Sequence, residues 1–224
     1  MNAEWNYKLT LDSFLKRSID GGLLFMAGDD DRSKWPTLAS SDEPAAIYWK
    51  FRELSEAPKE LLAAAGDLMA AKIDMIIEEK GLERGKIRLA PVPMGSIGLT
   101  VAASISSNIP FLLLRDEEKG HGTGGKIVGK YEKEHSLWLI EDVATSGGST
   151  EKEADRWRKD GIIIENALVL CDRKGGAEDS LKEKGIALHS CFTQDKALEQ
   201  LTDHPNYGRV MSWLQEERWP KKTR

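Results

Sequence analysis

Residues 139–150 read LIEDVATSGGST, and this stretch decides the fold class of the chain. An apolar run leads into two adjacent acids, Glu141 and Asp142, and a short loop of hydroxyl and glycine residues then opens a helix. A buried strand followed by a helix is the repeating unit of an α/β protein with a parallel sheet. Because ligands of such sheets bind outside the carboxyl ends of the strands, we expect residues 139–150 to lie at a ligand site.

The loop after the two acids has the chemistry of a phosphate site. Gly147 and Gly148 allow the backbone to approach a ligand closely, and the N-terminus of the following helix adds unpaired N–H groups and a positive dipole end. Hydroxyl donors come from Thr145, Ser146, Ser149 and Thr150. The two acids can accept hydrogen bonds from sugar hydroxyls and support a magnesium ion. The alternative is a plain strand end followed by a turn with a helix N-cap.

Short apolar runs alternate with helical stretches on both sides of this motif. A helix is predicted from about Pro58 to Lys80, because Pro58 suits a first helical turn and Gly81 gives a stop. Strands are predicted at residues 86–92, 109–115, 136–143, 162–173 and 186–192, and further helices at 95–107, 147–161 and 177–185. Apolar strands flanked by helices indicate a parallel sheet that is covered on both faces.

The first 57 residues differ in pattern from the rest of the chain. They are irregular and rich in Trp, Asp, Ser and Pro, with loops and turns at 27–44 and a candidate strand at 46–54. We therefore divide the chain into a small N-terminal extension, residues 1–57, and an α/β core with C-terminal helices, residues 58–224.

Charge and composition exclude several classes of protein. The net charge of −5 and the pI near 5.5 give no general attraction to nucleic acid, so an anionic ligand needs a local site. Cys171 and Cys191 lie in apolar runs and are expected to be buried thiols in a reducing compartment. The N-terminus has no signal-peptide pattern, and no apolar run approaches the roughly 20 residues that span a bilayer. We expect a cytoplasmic protein that binds neither nucleic acid nor membrane.

The whole string of apolar strand, two acids, hydroxyl–glycine loop and helix resembles a signature of type I phosphoribosyltransferases, which bind 5-phosphoribosyl-1-pyrophosphate (PRPP). The resemblance implies a Rossmann-like parallel sheet with a small N-terminal hood. It also implies that Glu141 and Asp142 hold the ribose and that the loop holds its 5′-phosphate. Mg²⁺ would be held mainly through PRPP, with the two acids contributing through water. The implied PRPP residues of this segment are Glu141, Asp142, Val143, Ala144, Thr145, Ser146, Gly147, Gly148, Ser149 and Thr150.

Residues 115–131, RDEEKGHGTGGKIVGKY, are similar to the mobile catalytic loop of orotate phosphoribosyltransferases. The resemblance assigns catalytic contacts with the pyrophosphate leaving group to Lys119, His121 and Arg115. Because the loop of that family reaches into the site of the partner subunit, a homodimer with shared active sites is implied. The alternative is a solvated charged loop. Residues 91–99, PVPMGSIGL, stand where the family carries a pyrophosphate-binding loop, which would use the N–H groups of Met94, Gly95 and Ser96.

Two more segments resemble the parts of this family that bind the base. Residues 171–193 match its C-terminal part, and the resemblance assigns Arg173 to orotate, whose carboxylate suits a guanidinium. Residues 38–54 resemble the hood, in which Tyr48 and Trp49 would pack on the base, and Thr145 would also contact orotate. The alternatives are a surface arginine that pairs with Asp172 and an aromatic pair in the core. The implied activity is synthesis of orotidine 5′-monophosphate and pyrophosphate from PRPP and orotate, in UMP biosynthesis.

Several positions depart from the pattern of the family. Ala39 and Asp116 stand where lysines are usual, Ser41 replaces a glycine, and the segment 91–99 carries no basic residue. Lys126 and Lys130 are candidates to compensate for the lost charge. The departures keep two alternatives open: a phosphoribosyltransferase for another base, and a PRPP-sensing regulator with weakened catalysis.

Overall fold

The computed structural model describes residues 3–38, 44–116 and 126–215, and within them the side chains from residue 11 onward. The helices are α1 (Ala3–Asp20), α2 (Lys59–Lys80), α3 (Ile97–Ser107), α4 (Gly148–Lys159), α5 (Ala177–Glu183), α6 (Gln194–Glu199) and α7 (Tyr207–Gln215). The strands are β1 (Leu24–Met26), β2 (Ile47–Trp49), β3 (Ile87–Pro91), β4 (Leu113–Leu114), β5 (Ile127–Val128), β6 (Ser136–Ala144), β7 (Ile164–Asp172) and β8 (Ala187–Thr193).

A four-stranded parallel sheet in the order β3-β6-β7-β8 forms the centre of the molecule. Leu89 pairs with Trp138, and Leu168 pairs with His189, so the carboxyl ends of the four strands meet at one edge. The predicted parallel sheet is therefore confirmed. Its central strands are apolar on both faces, as expected where helices cover both sides.

Alternate residues of β6 enter two hydrophobic clusters. Trp138 and Ile140 belong to the cluster under α1 and α2, whereas Leu137 and Leu139 pack on the other face. Trp157 of α4 is a member of this second cluster. The alternation of a strand places successive side chains on opposite faces, which explains why one strand serves two layers of helices.

The segment 109–115 departs from the predicted strand. Only Leu113 and Leu114 form a strand there, β4, and it pairs antiparallel with β5 outside the central sheet. Residues before β4 approach β3 through an isolated parallel bridge between Leu89 and Phe111. A continuous apolar run does not reveal where a chain leaves the sheet edge, because its residues are buried before and after that point.

The N-terminal part is more regular than predicted. Residues assigned as irregular contain the 18-residue helix α1, in which Leu11, Phe14 and Leu15 are buried at helical spacing. The candidate strand at 46–54 shrinks to β2, and a 3₁₀ helix follows at Phe51–Ser55. The antiparallel pair β1–β2 lies over the sheet edge, and we call residues 24–55, which contain this pair and the 3₁₀ helix, the hood. No helix in the described ranges is both long and apolar enough to cross a membrane.

Candidate active site

A cavity of about 400 Å³ opens at the carboxyl ends of β6 and β7, beneath the hood. Its walls come from three parts of the chain: the hood, the end of β6 with the loop after it, and the end of β7. The lining residues are Leu38, Tyr48, Trp49, Lys50, Arg52, Glu53, Glu141, Asp142, Val143, Ala144, Thr145, Ser146, Gly147, Gly148, Ser149 and Arg173. Position and composition agree with a ligand site at the edge of an α/β sheet.

The loop between β6 and α4 is held in a fixed shape. Gly147 caps α4 in the left-handed region with φ of +82°, a conformation that favours glycine. The carbonyl of Thr145 accepts the N–H of Ala177 at 3.1 Å. Gly175 passes so close behind the loop that an added Cβ would lie 2.7 Å from the Thr145 carbonyl oxygen. Gly147, Gly148 and Ser149 at the start of α4 line the cavity, and the first N–H groups of a helix have no partner within it.

The acid pair lies beside this loop and is mostly buried. Glu141 is 6% exposed and Asp142 is 7% exposed. Burial raises the pKa of Glu141 to about 7, against an opposing hydrogen bond from Thr150. Burial also raises the pKa of Asp142. Buried carboxyls without a strong counter-charge are poised to gain from a cation or from hydroxyl donors on a ligand.

The opposite wall carries the residues predicted to hold a base. Tyr48 and Trp49 both line the cavity, but Trp49 is only 5% exposed, belongs to the hydrophobic core and stacks on Phe51 with ring centroids 5.2 Å apart, so Tyr48 is the more accessible of the two. Arg173 is 8% exposed, and its Nη2 donates to the Ile47 carbonyl at 3.2 Å. Burial lowers the pKa of Arg173, yet a guanidinium stays protonated in proteins. A buried cation and an aromatic side chain thus lie across one cavity from the glycine-hydroxyl loop that follows β6.

Other predicted residues lie outside the lining. Thr150 is buried behind the loop and donates to the Glu141 carboxylate, so it positions that acid. The Ser96 hydroxyl donates to the Val92 carbonyl at 2.5 Å, and the Met94 side chain is 79% exposed. Arg115, at the root of the predicted catalytic loop, donates its backbone N–H to Lys126. Lys119, His121, Ala39 and Ser41 lie outside the described residues.

Four lining residues were missed by sequence reasoning: Leu38, Lys50, Arg52 and Glu53. They lie in the hood and in the 3₁₀ helix that follows β2. Lys50 and Arg52 alternate with apolar residues, which gave a weak signal that they share one side of the chain. The proposed compensators are placed elsewhere: Lys126 pairs with Asp160 at 3.4 Å, and Lys130 pairs with Glu132 at 2.5 Å.

Together the sheet, the acid pair and the glycine-hydroxyl loop define the type I phosphoribosyltransferase class. The orotate phosphoribosyltransferase of Aeropyrum pernix has the same fold, with a TM-score of 0.62 and 24% identity over 85% of this chain and 98% of that one. The UMP synthase of Leishmania donovani matches with a TM-score of 0.69 and 20% identity, over 92% of this chain and 42% of that one. No protein-family model matches the sequence.

Curated relatives identify the family within this class. The orotate phosphoribosyltransferase of Methanopyrus kandleri is 31% identical over 158 residues, which are 70% of this chain and 80% of the relative. That of Picrophilus torridus is 36% identical over 55% of this chain and 78% of the relative. The match to the enzyme of Thermoplasma acidophilum, at 38% identity, spans 46% of this chain and 59% of the relative's length. The chain belongs to the orotate phosphoribosyltransferase family.

Proposed function

We propose that this protein transfers the phosphoribosyl group of PRPP to orotate, forming orotidine 5′-monophosphate and pyrophosphate. One observation carries the proposal: a single cavity brings the acid pair and phosphate loop of β6 together with Arg173 and Tyr48. The first set suits a phosphorylated ribose, and the second suits a flat anionic ring. Membership of the family narrows the base to orotate.

The loop binds the 5′-phosphate through backbone N–H groups and the hydroxyls of Thr145, Ser146 and Ser149. Glu141 and Asp142 accept hydrogen bonds from the ribose hydroxyls. Their burial makes these bonds strong because little water competes for them. The ribose is thereby fixed with its anomeric carbon towards the hood, where the base binds against Tyr48 and Trp49.

The residues of the cavity fit a magnesium ion that arrives with PRPP. Glu141 and Asp142 are adjacent and buried, and burial raises the pKa of each side chain. A magnesium ion nearby would therefore offset the cost of ionising them. Bound with the diphosphate, Mg²⁺ would neutralise charge that develops on the leaving group. No cluster of three or more metal-ligating side chains occurs among the described residues, and we assign the acids a role through water.

In the proposed reaction the ring nitrogen of orotate loses its proton to water and attacks the anomeric carbon while the bond from that carbon to the diphosphate oxygen breaks. The bonding electrons leave with pyrophosphate. Arg173 holds the orotate carboxylate and so orients the ring for attack. Lys119, His121 and Arg115 stabilise the departing pyrophosphate, and their loop excludes water from the activated sugar. The family's use of a shared loop supports a homodimer, and the substrates of UMP synthesis support a cytoplasmic location.

A regulator that senses PRPP is the second candidate function. It is favoured by Asp116, which replaces a usual lysine and binds Arg156 of α4 at 2.6 Å. An acid that pairs with Arg156, in place of a lysine, removes a positive charge that would attract a diphosphate to this end of the predicted catalytic loop. Retention of Lys119 and His121 argues for the enzyme.

Turnover with defined substrates tests the proposal. The protein is incubated with PRPP, Mg²⁺ and orotate, and the loss of orotate absorbance is followed together with pyrophosphate release. We expect orotate-dependent turnover that Lys119→Ala reduces at least ~100-fold, as for loss of a charged transition-state contact, whereas the exposed Lys196→Ala leaves it unchanged. If the protein binds PRPP but turns over a different base, that base replaces orotate in the proposal. If it binds PRPP and turns over no base, the regulator is favoured.

A further inference from the structure

The loop predicted to bind pyrophosphate has no cation of its own. Residues 93–96 read PMGS, so the loop offers N–H groups but no positive side chain. The Ser96 hydroxyl is committed to the Val92 carbonyl. A diphosphate carries several negative charges, and backbone groups alone leave much of that charge without a partner. Mg²⁺ and the predicted catalytic loop would supply part of the missing positive charge, and a cation that already lies against residues 93–96 would add to it before that loop closes.

Arg52 lies against this loop. A Cβ added to Gly95 would be 2.9 Å from Cγ of Arg52 and 3.4 Å from its Nε, so the arginine stem rests directly on the glycine. On its other side, Nε of Arg52 lies 3.9 Å from Oδ2 of Asp142. Arg52 therefore spans the gap between the loop and the ribose-binding acids, which is the space that a diphosphate on the anomeric carbon must enter.

The guanidinium of Arg52 is available to a ligand. Its side chain is 68% exposed, and the 3.9 Å separation from Asp142 is too long for a hydrogen bond. Among the described residues, Asp142 is its one ion-pair partner. Two donors at the end of the side chain can thus engage two phosphate oxygens without breaking an existing bond. The fork of a guanidinium matches a diphosphate better than a single ammonium does.

The other two cations of the cavity lining are placed differently. Arg173 is buried between the hood and α6, where its Nε lies 3.3 Å from Oε1 of Gln194. Lys50 is the N-cap residue of the 3₁₀ helix and lines the cavity beside Trp49. The three heavy atoms nearest to a Cβ at Gly95 all belong to Arg52. The charge of Arg52 also reaches both acids, because it opposes the rise in pKa of Glu141 and of Asp142.

We propose that Arg52 binds the diphosphate of PRPP and supplies the positive charge that residues 93–96 lack. This inference rests on the proposed function and deepens it. It assigns to the hood a role in holding the leaving group in addition to covering the base. It also explains Gly95, because any side chain at that position would displace the arginine from the loop.

Calorimetric titration of three ligands in the presence of Mg²⁺ tests the assignment. PRPP and pyrophosphate contain the diphosphate, whereas ribose 5-phosphate lacks it. For Arg52→Gln we expect affinity for PRPP and pyrophosphate to fall roughly 10- to 100-fold, the range for a lost charged hydrogen bond. Affinity for ribose 5-phosphate should stay within about twofold, a change too small to indicate a lost bond. Arg52→Lys should recover part of the loss because it keeps the charge without the fork.

Lys59→Gln is the matched control, because it removes one positive charge from a 92% exposed side chain nearby. It should bind all three ligands as the unsubstituted protein does. Unchanged PRPP affinity in Arg52→Gln would overturn the assignment and leave the proposed function standing. Equal weakening of PRPP and ribose 5-phosphate would also overturn it, because Arg52 would then act through Asp142. Failure of the unsubstituted protein to bind PRPP would overturn the proposed function together with this inference.

Discussion

Gly147 shows how one residue can set the shape of the loop that is proposed to bind the 5′-phosphate. Its φ of +82° belongs to the left-handed region, and an added Cβ would lie 3.0 Å from Cγ of Leu181. We expect Gly147→Ala to lower the free energy of unfolding by about 1–2 kcal/mol, through backbone strain and crowding. Affinity for ribose 5-phosphate should fall with it, since the N–H groups of the loop turn away from the phosphate. Urea unfolding and calorimetry measure the two effects.

Gly148→Ala is the control for the stability change at Gly147. Its added Cβ would meet Oγ of Ser146 at 3.8 Å, an ordinary contact, and Gly148 has no positive φ. It begins α4, where alanine is a good helix former. Equal destabilisation by the two substitutions would contradict the role given to the left-handed conformation of Gly147.

Glu141 predicts a pH dependence of stability. A glutamate ionises near pH 4.5 in the unfolded chain, whereas burial raises the pKa of Glu141 to about 7 in the fold. Between these values the folded state binds more protons, so the free energy of unfolding falls as pH rises and levels off above pH 7. Glu141→Gln should be more stable than the unsubstituted protein at pH 8, by on the order of 2–3 kcal/mol.

The same comparison at pH 4.5 or below should show almost no difference, because both side chains are then neutral in the fold. Urea unfolding at pH 4.5, 6 and 8 measures the trend, with the exposed Glu56→Gln as the control for removal of a charge. The substitution should also weaken PRPP binding, since the carboxylate proposed to accept hydrogen bonds from the ribose hydroxyls is lost. A stabilising effect that is equal at all three pH values would refute the assigned cause.

Separation in sequence explains which site residues were predicted and which were missed. Residues 141–149 are contiguous, so one motif places them together at the end of β6, and the structure keeps them in the cavity. Lys50 and Arg52 reach the cavity from the hood, which is far from β6 in the sequence. No local sequence pattern predicts that these two parts of the chain meet. Thr150 is contiguous with the motif, but the first turn of α4 rotates its side chain towards Glu141. The rotation depends on where the helix begins, which a sequence locates to within one or two residues.

The position of α3 depends on its packing against α2. Because α3 begins directly after the predicted pyrophosphate loop, this packing also positions that loop. An added Cβ at Gly66 would lie 2.7 Å from the carbonyl carbon of Ala102, which is backbone and cannot move aside. We expect Gly66→Ala to push the helices apart and to lower the free energy of unfolding by about 1–3 kcal/mol. The displaced α3 should also raise the KM for PRPP.

Gly85→Ala is the control for Gly66→Ala, because a Cβ added at Gly85 would have no neighbour within 4 Å. Urea unfolding should show a loss for Gly66→Ala and no loss for Gly85→Ala. Alanine is intrinsically the better helix former by about 1 kcal/mol. A stabilised Gly66→Ala variant would therefore mean that propensity outweighs the clash and that the two helices can separate freely.

Periodicity explains which elements the sequence located. The helix α2 and the strands β3, β6, β7 and β8 match their predicted spans to within a few residues, because long apolar or amphipathic runs identify the buried elements of an α/β sheet. Helix α1 was missed because the composition around it suggested loops, although Leu11, Phe14 and Leu15 carry its helical spacing. Its stop at Gly21 and Gly22 was visible as well. The short pair β4–β5 depends on tertiary pairing and gave no local signal.

The hood and the α/β core share one hydrophobic cluster, although the sequence suggested a division between residues 57 and 58. The cluster runs from Phe14 and Trp35 in the N-terminal part to Trp138 in the sheet and Trp213 in α7. Trp35 packs edge-on against Trp213 with ring centroids 5.2 Å apart, and Arg32 lies 5.2 Å from the centroid of Trp213. Parts that share a core unfold together, so we expect a single cooperative transition.

Substitution of Trp213 tests this cooperativity at the point where α7 holds the hood. Trp213→Ala removes a side chain that is 5% exposed and should lower the free energy of unfolding by about 3–5 kcal/mol. Because the cluster is shared, the whole urea curve should move to lower concentration with its slope unchanged. Far-UV circular dichroism and hydrogen exchange of residues 24–49 and 137–171 should report the same midpoint. The 72% exposed Ile163 gives the control, Ile163→Ala, which should shift the curve by less than about 0.5 kcal/mol. An early transition confined to residues 24–49 would show instead that the hood is a separate unit, able to open over the cavity without unfolding of the sheet.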